Sequence, residues 1–244
     1  MKTPYELLHA DPDLLVVSKA AGLLSIPDRF VPEKENLLDL LRSRFGEVFT
    51  VHRLDRETSG LLIYARNAAA HRHLSIQFEE REVQKLYHAL VDGSLAEPAG
   101  EIDKPLAPHP TQAGKMIVSR QGKRALTRYR LVEAFDQHSL LEVEIETGRT
   151  HQIRVHLAAI GHPLTIDALY GARDAFFLSE VKGRKYQLGK HAVERPLMNR
   201  TSLHAFSLTF SHPGSGERMT FESEWPKDLA AVVKQLRKWG NTGS

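Results

Sequence analysis

The apolar segments of this chain are short, and most stretches between them are too short for a parallel crossover, which takes a dozen or more residues. That restricts the fold to strands that mostly meet antiparallel. Leu14 to Ser18, Leu61 to Ala65, Leu86 to Asp92, Ala125 to Phe135, Leu140 to Thr147, Leu203 to Phe210 and Met219 to Ser223 read as strands. The stretch from Leu140 alternates Leu141, Val143 and Ile145 with Glu142, Glu144 and Glu146, the pattern of a half-buried strand. Helices are fewer. Asn36 is placed to cap one with Leu37, Leu38, Leu41 and Phe45 inward, ended by Gly46, and Asn67 to cap a second carrying Ala70, Leu74 and Phe78. Thr150 reads as the cap of a third, with Ile153, Leu157 and Ile160 as its stripe and Gly161 as its stop. A last helix starts near Pro226 and buries Leu229, Val232, Val233 and Leu236. The expectation is an α+β fold, a mixed and mainly antiparallel sheet flanked by helices, in one continuous domain over residues 1–244 with its core at about 10–240.

Composition removes several classes of function. With 41% hydrophobic and 26% charged residues the chain is ordinary for a globular protein. It has no cysteine, so disulfides, thiolate metal sites and cysteine nucleophiles are excluded. No apolar run approaches the roughly 20 residues that cross a bilayer. Met1 to Ala10 lacks the charged start and apolar stretch of a signal peptide, so a cytoplasmic protein without membrane attachment is expected.

The net charge of +3 says little, but its distribution says more. Lys115, Arg120, Lys123, Arg124, Arg128 and Arg130 follow one another with no acidic residue between them. Lys182, Arg184, Lys185, Lys190 and Arg195 form a second run, with Glu180 and Glu194 near its edges. Clustered cations of this kind neutralise phosphates; they also occur as solvated faces.

Three segments carry chemistry. In Val51-His52-Arg53-Leu54-Asp55-Arg56-Glu57-Thr58-Ser59-Gly60-Leu61-Leu62 an aspartate sits between two arginines and runs into an apolar strand. Taken alone this reads first as a surface Asp–Arg pair in a turn, and second as a carboxylate kept ionised for use as nucleophile or base. In Gly148-Arg149-Thr150-His151-Gln152-Ile153-Arg154-Val155-His156-Leu157, Arg149 and Arg154 stand at a helix start, where anions are already favoured. His151, His156 and His162 are five and six apart, not the three or four that put two metal ligands on one helical face, so no metal site is expected. On the strand Lys85-Leu86-Tyr87, the Tyr87 ring is either plain core or a platform for an extruded base.

In order and wording these segments resemble the RluA-type family of RNA pseudouridine synthases. The family signature of HRLD followed shortly by TSG and an apolar strand is matched by His52 to Asp55 and Thr58 to Leu62. Its K-x-Y strand is matched by Lys85 and Tyr87, its RTHQIRVH helix start by Arg149 to His156, and its later H-A pair, H-P turn and acidic end by Leu203 to Trp225. The likeness spans roughly residues 10 to 230. It departs at Lys19-Ala20-Ala21-Gly22, where the family commonly has Lys-Pro-Ala-Gly. The separate amino-terminal RNA-binding module of many relatives is not expected here, and the run from Lys182 to Arg195 looks like an insertion that compensates for it.

The resemblance implies a pseudouridine-synthase-like domain around a central RNA-binding cleft, with Asp55 as the essential carboxylate and no cofactor. Isomerising a uridine of ribosomal or transfer RNA is redox-neutral, which agrees with an aspartate acting alone. Tyr87 and Arg154 are then expected beside it, Arg154 pairing with Asp55 and Tyr87 stacking on the uracil. RNA or base contacts are expected from His52, Arg53, Arg56, Arg149, His151, Gln152, Leu203, Lys123 and Arg124. Other readings of the same residues are a non-catalytic RNA-binding or ribosome-assembly protein and a nucleoside hydrolase. The hydrolase calls for two carboxylates flanking the bond.

Overall fold

A computed structural model describes residues 4–189 and 192–240. In chain order it contains β1 (Tyr5–Ala10), β2 (Leu14–Lys19), α1 (Leu37–Phe45), β3 (Phe49–Thr50), β4 (Ser59–Ala65), α2 (Ala68–Glu79) and β5 (Gln84–Asp92). Then come β6 (Ala99–Asp103), β7 (Leu106–Pro108), β8 (Met116–Val118), β9 (Leu126–Ala134), β10 (His138–Ile145), α3 (Gln152–Ala159) and α4 (Leu178–Lys182). A 3-10 turn (Gly183–Lys185) precedes β11 (Leu203–Ser211), β12 (Arg218–Glu222) and α5 (Lys227–Trp239). The described residues of 1–87 and 204–224 form one compact unit, and those of 88–203 and 225–244 a second. β5 passes from the first into the second between Tyr87 and His88. The architecture is α+β, as expected.

In the first unit β2 lies between β1 and β4, antiparallel to both, while β11 runs parallel to β4 and antiparallel to β12. Leu14 and Val16 of β2 and Leu61, Ile63 and Ala65 of β4 form a core with Ala70 and Leu74 of α2 and with Leu208 and Phe210. The alternate residues Leu15, Val17, Leu62 and Tyr64 are fully buried as well, so β2 and β4 are covered on both faces. Asn36 and Asn67 cap α1 and α2 by accepting from the Asp39 and Ala70 N–H groups. Gly60 has φ +112°, and a Cβ there would stand 2.1 Å from the Ala205 carbonyl oxygen, so only glycine lets β4 and β11 approach this closely. Beside it Ser59 Oγ donates to His204 Nδ1 at 3.0 Å, and His204 Nε2 donates to the Ser223 carbonyl at 3.1 Å.

In the second unit β9 pairs antiparallel with β10 and with β6, and β7 with β8. The stripe Leu229, Val232, Val233 and Leu236 of α5 packs on Leu90, Phe135, Leu140, Ile166, Phe176 and Met198. Val155 of α3 packs on Leu106 and Ala125. One sequence expectation is corrected here. The helix expected to be capped by Thr150 starts one residue later, at Gln152, and its cap position is His151 in a left-handed conformation (φ +54°) without a side-chain cap bond. The Gln152 amide organises this start instead: Oε1 accepts from Thr147 Oγ1 (2.7 Å) and the Arg149 N–H (3.1 Å), and Nε2 donates to the Leu126 carbonyl (2.9 Å) and Thr127 Oγ1 (3.0 Å).

Two members of the acid-free basic run, Arg128 and Arg130, have acidic neighbours across the strands. β9 pairs Arg130 with Glu142 and Arg128 with Glu144 of β10, and Arg128 with Glu101 of β6. Arg130 Nη2 meets Glu142 at 2.8 Å and Arg128 Nε meets Glu101 at 2.9 Å, so this outer face alternates in charge.

Candidate active site

Asp55 lies on the loop entering β4, and the loop is fixed on both sides of it. On one side, Ser25 Oγ donates to the Leu54 carbonyl (2.9 Å) and accepts from the Leu54 N–H (3.1 Å), while the Ser25 carbonyl accepts from the Tyr64 hydroxyl (2.8 Å). On the other, the Arg56 carbonyl accepts from the Gly22 N–H (2.9 Å) and from Lys19 Nζ (3.0 Å). Lys19 is 1% exposed and also donates to the carbonyls of Ala20 and Leu23, so its charge is solvated by backbone oxygens. The Thr58 N–H closes the turn on the Asp55 carbonyl (3.1 Å). A loop held through its backbone in this way fixes where the Asp55 side chain starts.

Tyr87, in the same unit, is buried at 7% exposure. Burial raises the pKa of its phenol, and the Asp55 charge raises it further. The phenol therefore keeps its proton at neutral pH, and the Asp55 charge reaches it. His52, expected to contact RNA, is partly buried and bonded within this unit. Its Nε2 accepts from the Ile63 N–H (3.0 Å) and its ring stacks on Phe78 at 4.6 Å. Burial, and then the Lys85 charge, lowers its pKa to about 3. His52 is thus a neutral brace for β4. Arg53 is exposed, and so is Arg56, whose Nε donates to the Gly22 carbonyl (2.9 Å).

In the second unit Arg154 is 9% exposed and grips Asp167 through two bonds, Nε to Oδ2 at 2.7 Å and Nη2 to Oδ1 at 2.8 Å. Its guanidinium lies over the Tyr170 ring, 5.0 Å from the centroid. Tyr170 in turn meets His151 Nδ1 (2.9 Å) and accepts from the Met116 N–H (2.7 Å) through its hydroxyl. Asp167 and Tyr170 were missed in the sequence. Their signal is the turn Asp167-Ala168-Leu169-Tyr170-Gly171, in which Asp167 Oδ1 accepts the N–H groups of Leu169 and Tyr170.

Gln152, expected to touch RNA, is 3% exposed and commits its amide to the internal bonds above. Leu203 is buried at the start of β11. Lys123, Arg124 and Arg149 are exposed, with Arg149 Nε donating to the Arg124 carbonyl (3.2 Å). The histidines weighed as metal ligands have separate partners, His156 on Thr127 Oγ1 and the Lys104 carbonyl, and His162 on the Asp92 carbonyl.

A fixed aspartate whose charge reaches a buried, protonated tyrosine, on an α+β frame, is an arrangement that carboxylate chemistry can use. The family model for RNA pseudouridylate synthase matches residues 13–159, which include Asp55, Tyr87 and Arg154. An uncharacterised RNA pseudouridine synthase of Aquifex aeolicus is 37% identical over 96% of this chain and 74% of its own length. The ribosomal large subunit pseudouridine synthases D of Nitrosomonas europaea and Pseudomonas aeruginosa are 38% and 37% identical, over 96% of this chain and 66% and 72% of theirs. Among solved structures, human RNA pseudouridylate synthase domain containing 1 superposes with a TM-score of 0.67 at 28% identity, covering 98% of this chain and 97% of its own. Human domain containing 4 gives 0.72 at 24% identity, over 95% and 92%, a likeness of fold. The chain belongs to the RNA pseudouridylate synthase family, isomerases that convert uridine in RNA to pseudouridine.

Proposed function

We propose that this chain isomerises uridines of large-subunit ribosomal RNA, with Asp55 as its reactive carboxylate and both units serving one catalytic domain in the cytoplasm. The names and 37–38% identity of the relatives support the substrate. The observation that carries the site is the action of the Asp55 charge on the buried Tyr87 phenol, which links two family-motif residues 32 positions apart.

The reaction breaks the bond from ribose C1′ to uracil N1 and forms one from C1′ to C5. N1 gains a proton and C5 loses one, so nothing is oxidised and no co-reactant enters. Asp55 supplies the negative oxygen that starts the exchange, by adding to the base, attacking the sugar or taking a ribose proton. Tyr87, protonated, offers the uracil a flat apolar face and a hydroxyl donor, and stacking of this kind contributes about 1–3 kcal/mol per base. Arg154, oriented by Asp167, is the cation we assign to the same reaction. Arg53, Arg56, Lys123, Arg124, Arg149 and His151 are assigned to the RNA, whose target nucleotide leaves its stack at a cost of a few kcal/mol. Leu203 is assigned to packing on the base.

The test uses ribosomal RNA transcripts tritiated at uracil C5. Wild-type protein is expected to release tritium, and the Asp55→Ala protein to release none while retaining RNA affinity. Near-normal release by Asp55→Ala overturns the assignment.

A further inference from the structure

We infer that Lys182, Lys185 and Lys238, gathered around Trp239, form a docking site for the RNA phosphate backbone. This rests on the proposed action on RNA and adds to it a surface outside the catalytic motifs. In the sequence Lys182 to Arg195 reads as a basic run, and its Lys190 lies outside the described residues. The structure selects from it. Lys182 ends α4 and Lys185 ends the 3-10 turn, and they meet the end of α5. Their Nζ atoms stand 5.3 and 5.5 Å from the Trp239 ring centroid, and that of Lys238 stands 5.1 Å from it.

Three ammonium groups around one indole repel one another, and the attraction of each for the ring offsets that only in part. Such an arrangement ordinarily recruits carboxylates. Here the two acids of the segment are engaged elsewhere: Glu180 accepts from Arg173 (2.7 Å) and the Phe177 N–H (2.8 Å), and Glu194 from the Ser179 N–H (2.9 Å). Among the described residues no ion pair joins a carboxylate to Lys182, Arg184, Lys185 or Lys238. By contrast, Arg237 on the same last turn of α5 is paired with Glu133 at 2.8 Å. The fold thus neutralises a neighbouring cation and leaves these uncompensated. Repeated phosphates of a polyanion complement such a patch, and for a chain that acts on RNA that polyanion is its substrate beyond the target nucleotide.

The experiment measures binding of a short fluorescein-labelled RNA hairpin across a salt series, with wild type and with Lys182→Gln/Lys185→Gln/Lys238→Gln. The triple variant is expected to bind about tenfold more weakly at low salt. Its slope of log Kd against log salt should be shallower by about 2, at about 0.7 for each phosphate left unneutralised. The triple Lys→Arg protein is expected to keep both affinity and slope. Should the Gln triple not fold, Lys185→Gln and Lys238→Gln alone are each expected to flatten the slope by about 0.7. Affinity and slope equal to wild type overturn the inference. So does loss of binding to phosphatidylserine vesicles with hairpin binding intact, which would assign the patch to a membrane. Absence of pseudouridine formation by wild type would instead overturn the proposed function, while the hairpin slopes still judge the lysine cluster.

Discussion

Arg154 and Asp167 form a two-point ion pair inside the second unit, with the Asp167 side chain wholly shielded from solvent. Burial alone would raise the Asp167 pKa, but its bonds and charge contact with Arg154 and two backbone N–H groups outweigh this and hold it below the usual value. A carboxylate with a lowered folded pKa stabilises the fold above its unfolded pKa of about 3.9, and that stability is lost as pH falls through the folded value. Asp167→Asn is therefore expected to cost about 3–5 kcal/mol at pH 7, because it takes the negative charge out of a buried two-point ion pair and leaves a neutral amide facing the guanidinium. The cost should shrink below about pH 4. Urea titrations of both proteins between pH 7 and pH 3 check this; equal stability at pH 7 would show that the pair is not holding Arg154.

His52 titrates in the same direction from a different cause. Burial keeps it neutral down to about pH 3, whereas the unfolded chain binds its proton near pH 6.5. The unfolded state thus takes up more protons between those values, and stability falls as pH drops through that window. His52→Gln keeps an acceptor for the Ile63 N–H and removes the titration. The variant is expected to lose less stability than wild type between pH 6.5 and pH 4. Identical slopes in pH-dependent melting would contradict a His52 that stays neutral in the folded chain.

Ser25 holds the residue before Asp55 by both its N–H and its carbonyl. Ser25→Ala leaves two buried backbone groups without that partner, at about 1–3 kcal/mol. As a positioning residue it should act on turnover more than on binding. The expected result is a tenfold or greater fall in kcat with RNA Kd within about twofold, since a small displacement of a reacting group is costly. Single-turnover kinetics with a parallel binding curve separate the two; a loss confined to Kd would place Ser25 in RNA contact.

The two kinds of cation on and beside β9 should behave differently. Arg130 is engaged by Glu142 on the exposed outer face, so Arg130→Gln is expected to change stability by less than about 1 kcal/mol and to leave the salt slope of RNA binding unchanged. Lys123→Gln, at an exposed cation without such a pair among the described residues, should flatten that slope by roughly 0.7 to 0.9. Fluorescence anisotropy across a salt series reads both, and a flatter slope for Arg130→Gln would mean that the Glu142 pair opens to RNA.

The sequence by itself determined what is local. The Asn36 and Asn67 caps, the α5 stripe, the alternation of β10 and the motif around Asp55 depend on residues within one or two turns or one strand, where spacing dictates geometry. Only the tertiary structure decided the pairings across distance. Gln152 reads as a polar residue at a helix start, and only the approach of Leu126 and Thr127 turns it inward. Arg128 and Arg130 read as a bare basic face until strand register sets acids of β6 and β10 beside them. Asp167 is 13 residues from Arg154, and Trp239 lies far along the chain from Lys182 and Lys185. Charge and hydrogen-bond partners are chosen by proximity in space, and a side chain's identity fixes what it can bind but not which group the folded chain brings to it.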